Sequence, residues 1–445
     1  VASMRLFEGI SREAPEVAGP RIGLLLTTLA LTLIGFVMVY SASSVEALSA
    51  STPATSYLYD QVKYGAIGAI AGFVMWKAVP FQLWCGPLFY AVWMGSSFLL
   101  VLVAVMGSSA LGATRWLVLG PISLQPSEFA KFVLVIGVAK LLCDIREGQM
   151  EPKVALALFF TVVLLPLGFL YKTQSDLGTS MIIVVGAIAT LWLGEVSKRA
   201  VGGLLGLAGA FGMLSMALTS YRSSRMLYLN PWNDGADGQG LGYQIIHSFY
   251  AFSQGGLFGV GLGNSREKFL YLPESETDFV FSIIGEELGL VGALIVIALF
   301  MALLHFSLQV ARQAPDLFGT MVAGGLGIMI VFQAFLNMGC AMGVFPTTGK
   351  PLPFISSGGS SLISSLMMVG IILSVSRASG EGAAARRRDD LRIMRPVDEA
   401  PAPRGASGGR GRAARAAAPA PVRARGYSQG RAVARPQDAS RARRR

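Results

Sequence analysis

Blocks of about twenty apolar residues recur along this chain, and that pattern restricts the fold more than any other feature. The stretches 21–41, 157–170, 181–194 and 288–304 contain few or no ionisable groups. A membrane-spanning helix needs roughly 20 mostly apolar residues. In hydrocarbon every backbone N–H and C=O must be satisfied internally, so runs of this length imply helices and not open sheets. Only 14% of residues are charged and 53% are hydrophobic, whereas a soluble domain carries about a quarter charged residues. The 53 glycines suit closely packed membrane helices.

These runs predict an all-α integral membrane protein with about ten transmembrane helices. The helices are expected near 21–41, 60–79, 81–106, 127–143, 153–171, 176–195, 199–219, 278–306, 317–342 and 359–377. A long extracytoplasmic loop, 220–277, then separates helices 7 and 8. It is rich in aromatic residues, and Ile245, Ile246, Phe249 and Phe252 recur at helical spacing, which suggests a segment lying along the membrane interface. The first apolar run, beginning at Arg21, is too long for the core of a cleavable signal peptide. Three organisational units are expected: a cytoplasmic segment 1–20, a polytopic membrane domain 21–377, and a tail 378–445.

Charge is concentrated in that tail. From Arg377 onward there are 18 arginines and no lysine against six acids, while the whole chain is only +11. An even number of spans puts both termini on one side, and the basic tail puts that side in the cytoplasm. Its Ala, Pro, Gly and Arg composition predicts disorder near anionic headgroups rather than a nucleic-acid site, and no nucleic-acid partner is expected. Cys85, Cys143 and Cys340 are widely spaced, and with only two histidines, His247 and His305, no zinc pattern exists.

Ionisable residues beside membrane spans are functional candidates. Glu128 and Lys131 stand at i, i+3 on the fourth helix, where they either lock helices as an ion pair or line a water-filled cavity. Lys172, Gln174 and Asp176 share a short outward turn, and Asp176 is placed to cap the next helix. Arg222 and Arg225 open the long loop; paired guanidiniums there clamp phosphate or anchor to headgroups. Asp278 ends Leu272-Pro273-Glu274-Ser275-Glu276-Thr277-Asp278 and enters the eighth helix, either as an N-cap or as a general base at the water–lipid boundary. In 346–361, Lys350 precedes Ser356-Ser357-Gly358-Gly359, whose backbone N–H groups at a helix start suit an anion.

Several of these motifs resemble the SEDS family (FtsW, RodA and SpoVE). They are Arg115-Trp116-Leu117 through Gln125-Pro126-Ser127-Glu128, Asn230-Pro231-Trp232, Gly242-Tyr243-Gln244, Leu272-Pro273-Glu274 with Thr277-Asp278-Phe279, Gly285-Glu286-Glu287, and Pro346-Thr347-Thr348-Gly349 through Ser356-Ser357-Gly358-Gly359. They occur in order across about 20–377, and Gly259 to Ser265 followed by Tyr271-Leu272-Pro273-Glu274 looks more like the division-type FtsW.

The resemblance implies a peptidoglycan glycosyltransferase that polymerises lipid II outside the cytoplasmic membrane at the division septum. It also implies a class B penicillin-binding protein (a transpeptidase) and other cell-division membrane proteins as partners. It makes Asp278 the catalytic carboxylate, with Glu128, Lys131, Lys172, Arg222, Arg225, Gln244, Lys350, Ser356 and Ser357 as substrate-binding candidates. A divalent cation, Mg2+ or Mn2+, beside Asp278 is a further expectation. Glu276 departs from the histidine that many relatives carry before Thr-Asp. A lipid II flippase and a non-catalytic division scaffold are the competing readings; short, plain inner loops speak against alternating access.

Overall fold

In the computed structural model the described residues are 15–393, except 111, 112, 121, 175, 218–229, 237 and 241. Proline and carboxylate signals set many helix starts. Pro87, Pro126 and Pro152 open α3 (Pro87–Met106), α4 (Pro126–Arg146) and α5 (Pro152–Phe159), where a missing N–H costs nothing. Asp176 caps α7 (Leu177–Leu193) by accepting from Thr179 N at 3.0 Å. Asp316 caps α12 (Leu317–Ala341) by accepting from Gly319 N at 2.6 Å. The remaining helices are α1 (Pro15–Ser49), α2 (Ser56–Lys77), α6 (Leu165–Thr173), α8 (Lys198–Ala217), α9 (Tyr243–Gly255), α10 (Val280–Glu287), α11 (Gly289–Arg312) and α13 (Gly359–Ile393).

Six of the described helical segments are long and apolar enough to cross a bilayer: Val17–Ser49, Pro87–Met106, Lys153–Thr173, Gly289–Arg312, Leu317–Ala341 and Gly359–Gly382. Helix α4 fails that compositional test because it carries Glu128, Lys131, Lys140, Asp144 and Arg146. It is nevertheless buried along most of its length. Four of these charges are paired within the helix, Lys131 with Glu128 at 2.6 Å and Lys140 with Asp144 at 2.9 Å, and Arg146 reaches Glu195 at 3.3 Å. Pairing is what makes interior burial of charge tolerable. Around α4 pack α3, α7 and α12; α12 also packs on α11, and α11 on α1.

Helices α5 and α6 are joined through a π turn, Phe160–Leu164. Pro166 has no N–H to give the Val162 carbonyl one turn back. The indole Nε1 of Trp93 on α3 donates to that carbonyl instead, at 2.9 Å, so the irregular turn is satisfied from a neighbouring helix.

The structure corrects the sequence expectations in four places. First, the fold is not purely helical. The segment expected as a loop at 107–126 holds a small antiparallel sheet, β1 (Ser108–Ala110), β2 (Ala113–Leu119) and β3 (Ile122–Leu124), in the order β1-β2-β3. Leu117 pairs with Leu124 and Val118 with Ser123. Second, the single helix expected over 278–306 is broken between α10 and α11. Gly289 takes φ +68° there, and the turn around Gly259 (φ +81°) docks so closely that a Cβ on either glycine would overlap backbone. Val260 N donates to Glu286 O and Leu290 N to Gly256 O, each at 3.0 Å, filling the hydrogen bonds the break leaves open. Third, α13 continues to Ile393 instead of ending at 377. Fourth, the apolar face of α9 packs on protein and not along an interface. Ile245 and Ile246 are buried, and Phe252 meets Phe281 of α10 with ring centroids 5.8 Å apart.

Candidate active site

The loop before α10 is curled by one carbonyl. Glu274 O accepts from Thr277 N at 3.3 Å and from Asp278 N and Phe279 N at 3.1 Å. The curl makes Phe279 the cap residue of α10 and leaves Asp278 one position earlier, so Asp278 is not the N-cap. Its side chain is half-buried.

A second irregular segment, 342–358, lies against this loop. Ser356 Oγ donates to Thr277 O and accepts from Leu352 N at 2.8 Å. Ser357 N donates to Glu276 O at 2.8 Å. Asn337 Nδ2, from α12, donates to both Asp278 O and Lys350 O at 2.8 Å. A Cβ built on Gly349, where φ is +65°, would stand 3.4 Å from Asp278 Oδ2, so the carboxylate lies over the 349–350 backbone. Burial raises the Glu276 carboxyl above its ordinary value, and the negative charges of Glu274 and Glu46 act in the same direction.

Lys350 and Asp176 form an ion pair, Nζ to Oδ2 at 2.7 Å, with both side chains about 1% exposed. Asp176 therefore does two jobs, because its carboxylate also accepts from Thr179 N and Oγ1 as the α7 cap. Lys131 Nζ donates to Glu128 Oε2 at 2.6 Å and to Gln333 Oε1 at 2.7 Å. Gln333 Nε2 passes the chain on to Pro351 O at 2.9 Å. Arg115 on β2 donates from Nε to Gln174 O at 2.9 Å, which ties the sheet to the turn before Asp176. Glu128 Oε1, both amide atoms of Gln174 and Asn337 Oδ1 are buried without a partner among the described residues. Such groups cost free energy unless something polar meets them.

The sequence candidates thus divide. Asp278, Lys350, Ser356 and Ser357 converge on one place, and Glu128 and Lys131 join them through Gln333. Ser356 Oγ and Ser357 N already bond the loop that carries Asp278. Lys172 is exposed on the last turn of α6, and Gln244 is half-buried on the first turn of α9. Arg222 and Arg225 lie outside the described residues. Among the described residues no three His, Cys, Asp or Glu side chains gather as a metal cage. A cation at Asp278 would take its other ligands from water and from substrate phosphate, as Mg2+ commonly does. Gln333 and Asn337 are additions that sequence reasoning passed over. Their signal was available, since both are carboxamides inside an apolar helix.

Residues 22–381 match the family model FtsW/RodA/SpoVE, described as cell cycle protein. The chain belongs to that family. Among curated relatives, stage V sporulation protein E of Bacillus subtilis is 39% identical over 374 residues, covering 81% of this chain and 98% of the relative. The probable peptidoglycan glycosyltransferase FtsW of Trichlorobacter lovleyi is 38% identical over 373 residues, covering 82% and 96%. Among solved structures, the rod shape determining protein RodA of Thermus thermophilus superposes with a TM-score of 0.58 at 29% identity, covering 80% of this chain and 96% of that one. A chain of a peptidoglycan synthase complex that coordinates polymerization and crosslinking gives a TM-score of 0.62, also at 29% identity, covering 80% and 97%. Family membership and the apolar helices together make this an integral membrane protein.

Proposed function

We propose that this chain is the peptidoglycan glycosyltransferase of septal wall synthesis, polymerising lipid II at the outer face of the cytoplasmic membrane. The observation that carries the reading is the half-buried Asp278 carboxylate, which stands against Gly349, next in sequence to the Lys350 of a buried ion pair. In this topology ten segments span the bilayer, both termini are cytoplasmic, and Asp278 faces outward. The relatives named as probable peptidoglycan glycosyltransferases support the activity.

In the reaction Asp278 takes the proton from the 4-hydroxyl of the acceptor N-acetylglucosamine. That oxygen attacks the anomeric carbon of the donor from the face opposite the pyrophosphate. The C–O bond to pyrophosphate breaks, and undecaprenyl pyrophosphate leaves with the electron pair, giving inversion. Its charge needs cations, and Lys350, Lys131, Lys172, Arg222 and Arg225 are the groups proposed to supply the field. The leaving group is already stable as an anion, so no general acid is required. Asp278 is the residue that would hold a divalent cation, and the chemistry such an ion would supply is Lewis-acid stabilisation of the leaving charge.

The proposed partner is a class B penicillin-binding protein that cross-links the emerging strand; the synthase complex among the structural neighbours supports that pairing. The test is reconstitution of the purified chain with that transpeptidase in vesicles containing labelled lipid II. Glycan polymer is expected. Vesicles in which lipid II only changes leaflet, with no polymer, would replace the enzyme by a transporter.

A further inference from the structure

Helix α12 is apolar for most of its length, yet Gln333 and Asn337 stand one turn apart on its buried side, 1% and 2% exposed. A carboxamide in an apolar span is costly unless it is bonded, so its partners indicate its purpose. Gln333 Nε2 donates to Pro351 O at 2.9 Å, and Asn337 Nδ2 donates to Lys350 O at 2.8 Å. The two amides therefore grip consecutive carbonyls of the lysine-bearing segment. Asn337 does one thing more: its second N–H goes to Asp278 O at 2.8 Å.

The orientation of this amide is fixed by chemistry. Carbonyl oxygens only accept, so the NH2 end must face both of them. Asn337 Oδ1 is meanwhile buried with no partner among the described residues. The side chain keeps two donor bonds at the cost of an unsatisfied acceptor, which is the balance expected where the donors hold something in place. The carbonyl that Asn337 holds belongs to the same residue as the carboxylate. Rotation of that peptide would swing the Asp278 side chain off Gly349.

We infer that Asn337 is a positioning residue for glycosyl transfer, a clamp joining the backbone of Asp278 to the backbone of Lys350. Through it the base and the ion-paired lysine keep one spacing while substrate is handled. The inference rests on Asp278 being the base.

The test uses the full chain with its transpeptidase partner and labelled lipid II, and compares Asn337→Asp, Asn337→Ala and Asp278→Ala. Asn337→Asp keeps the volume and replaces both N–H donors with an acceptor. For a clamp, kcat falls on the order of 100-fold, as expected for a misplaced catalytic group, while KM stays within about threefold. Amide hydrogen exchange over 274–279 and 348–352 quickens together in the same variants, the melting temperature falls by several degrees because two carbonyls lose their donor, and partner binding stays close to the parent. Parental kcat in both Asn337 variants would overturn the clamp. So would a fall in melting temperature with unchanged kcat, or failure of both variants to fold, either of which makes Asn337 purely structural. Asp278→Ala separates this from the base assignment. An active Asp278→Ala protein removes the base, whereas an inactive one beside a fully active Asn337→Asp removes only the clamp.

Discussion

Removing one member of the buried Lys350–Asp176 pair at a time should destabilise the protein unequally. In Asp176→Asn the amide oxygen still caps α7 through Thr179 N, because Asn serves well at that position. What is lost is the counter-charge of Lys350, whose ammonium is 2.7 Å from Asp176 Oδ2 and nearly inaccessible to water. Leaving one charge of a buried pair uncompensated costs about 3–5 kcal/mol. Lys350→Met leaves the Asp176 carboxylate with two donors, Thr179 N at 3.0 Å and Thr179 Oγ1 at 2.9 Å. Hydrogen bonds to a charged group contribute about 1.5–3 kcal/mol each, so this variant should lose only about 1–3 kcal/mol. The double variant has no buried charge to strand and should fall within about 2 kcal/mol of the parent. Thermal melting in one detergent reads the series at roughly 2–4 °C per kcal/mol. The reasoning is refuted if the two single losses simply add in the double variant, or if Lys350→Met proves the more damaging change.

Three further outcomes follow from other parts of the molecule. Asp234 accepts from four backbone N–H groups, of Ala236, Gly238, Gly240 and Gly242, and these bonds hold its carboxyl down at about 2. A depressed carboxyl stabilises the fold above its unfolded value of about 3.9, and the contribution fades as pH falls toward about 2; proteolysis within 230–242 should therefore increase over that window, and Asp234→Ala should show the increase already at neutral pH. Trp93→Phe removes the donor to Val162 O and should cost about 1–3 kcal/mol in melting experiments, more than the same change at an exposed tryptophan such as Trp192. Deleting 394–445 should leave the rate of polymerisation in detergent unchanged, and loss of that activity would make the basic tail part of the enzyme.

Much of the helical frame was legible because apolar blocks of bilayer length leave the backbone few choices. The β2–β3 hairpin was legible too, and was passed over: Thr114 to Leu119 is rich in β-branched and aromatic residues, and Gly120-Pro121 marks a turn. The break at Gly289 had a local signal that was passed over, since Glu286-Glu287 and then a glycine stand where the apolar run begins. Only the docking of the 256–261 backbone shows why the helix stops there. At the site, Glu128 and Lys131 could be paired from their i, i+3 spacing alone. Lys350 and Asp176 meet across a separation of 174 residues, which no local pattern encodes. Asp278 looked like a helix cap until Glu274 O was seen to gather the N–H groups that shift the cap to Phe279.

The most direct measurement is the polymer formed from labelled lipid II by purified Asp278→Asn protein bound to its transpeptidase partner. Asparagine keeps the shape of the side chain and cannot take the acceptor's proton, so no glycan beyond background is predicted while folding and partner binding persist. Strands of parental length and rate from that protein would show that Asp278 is not the base.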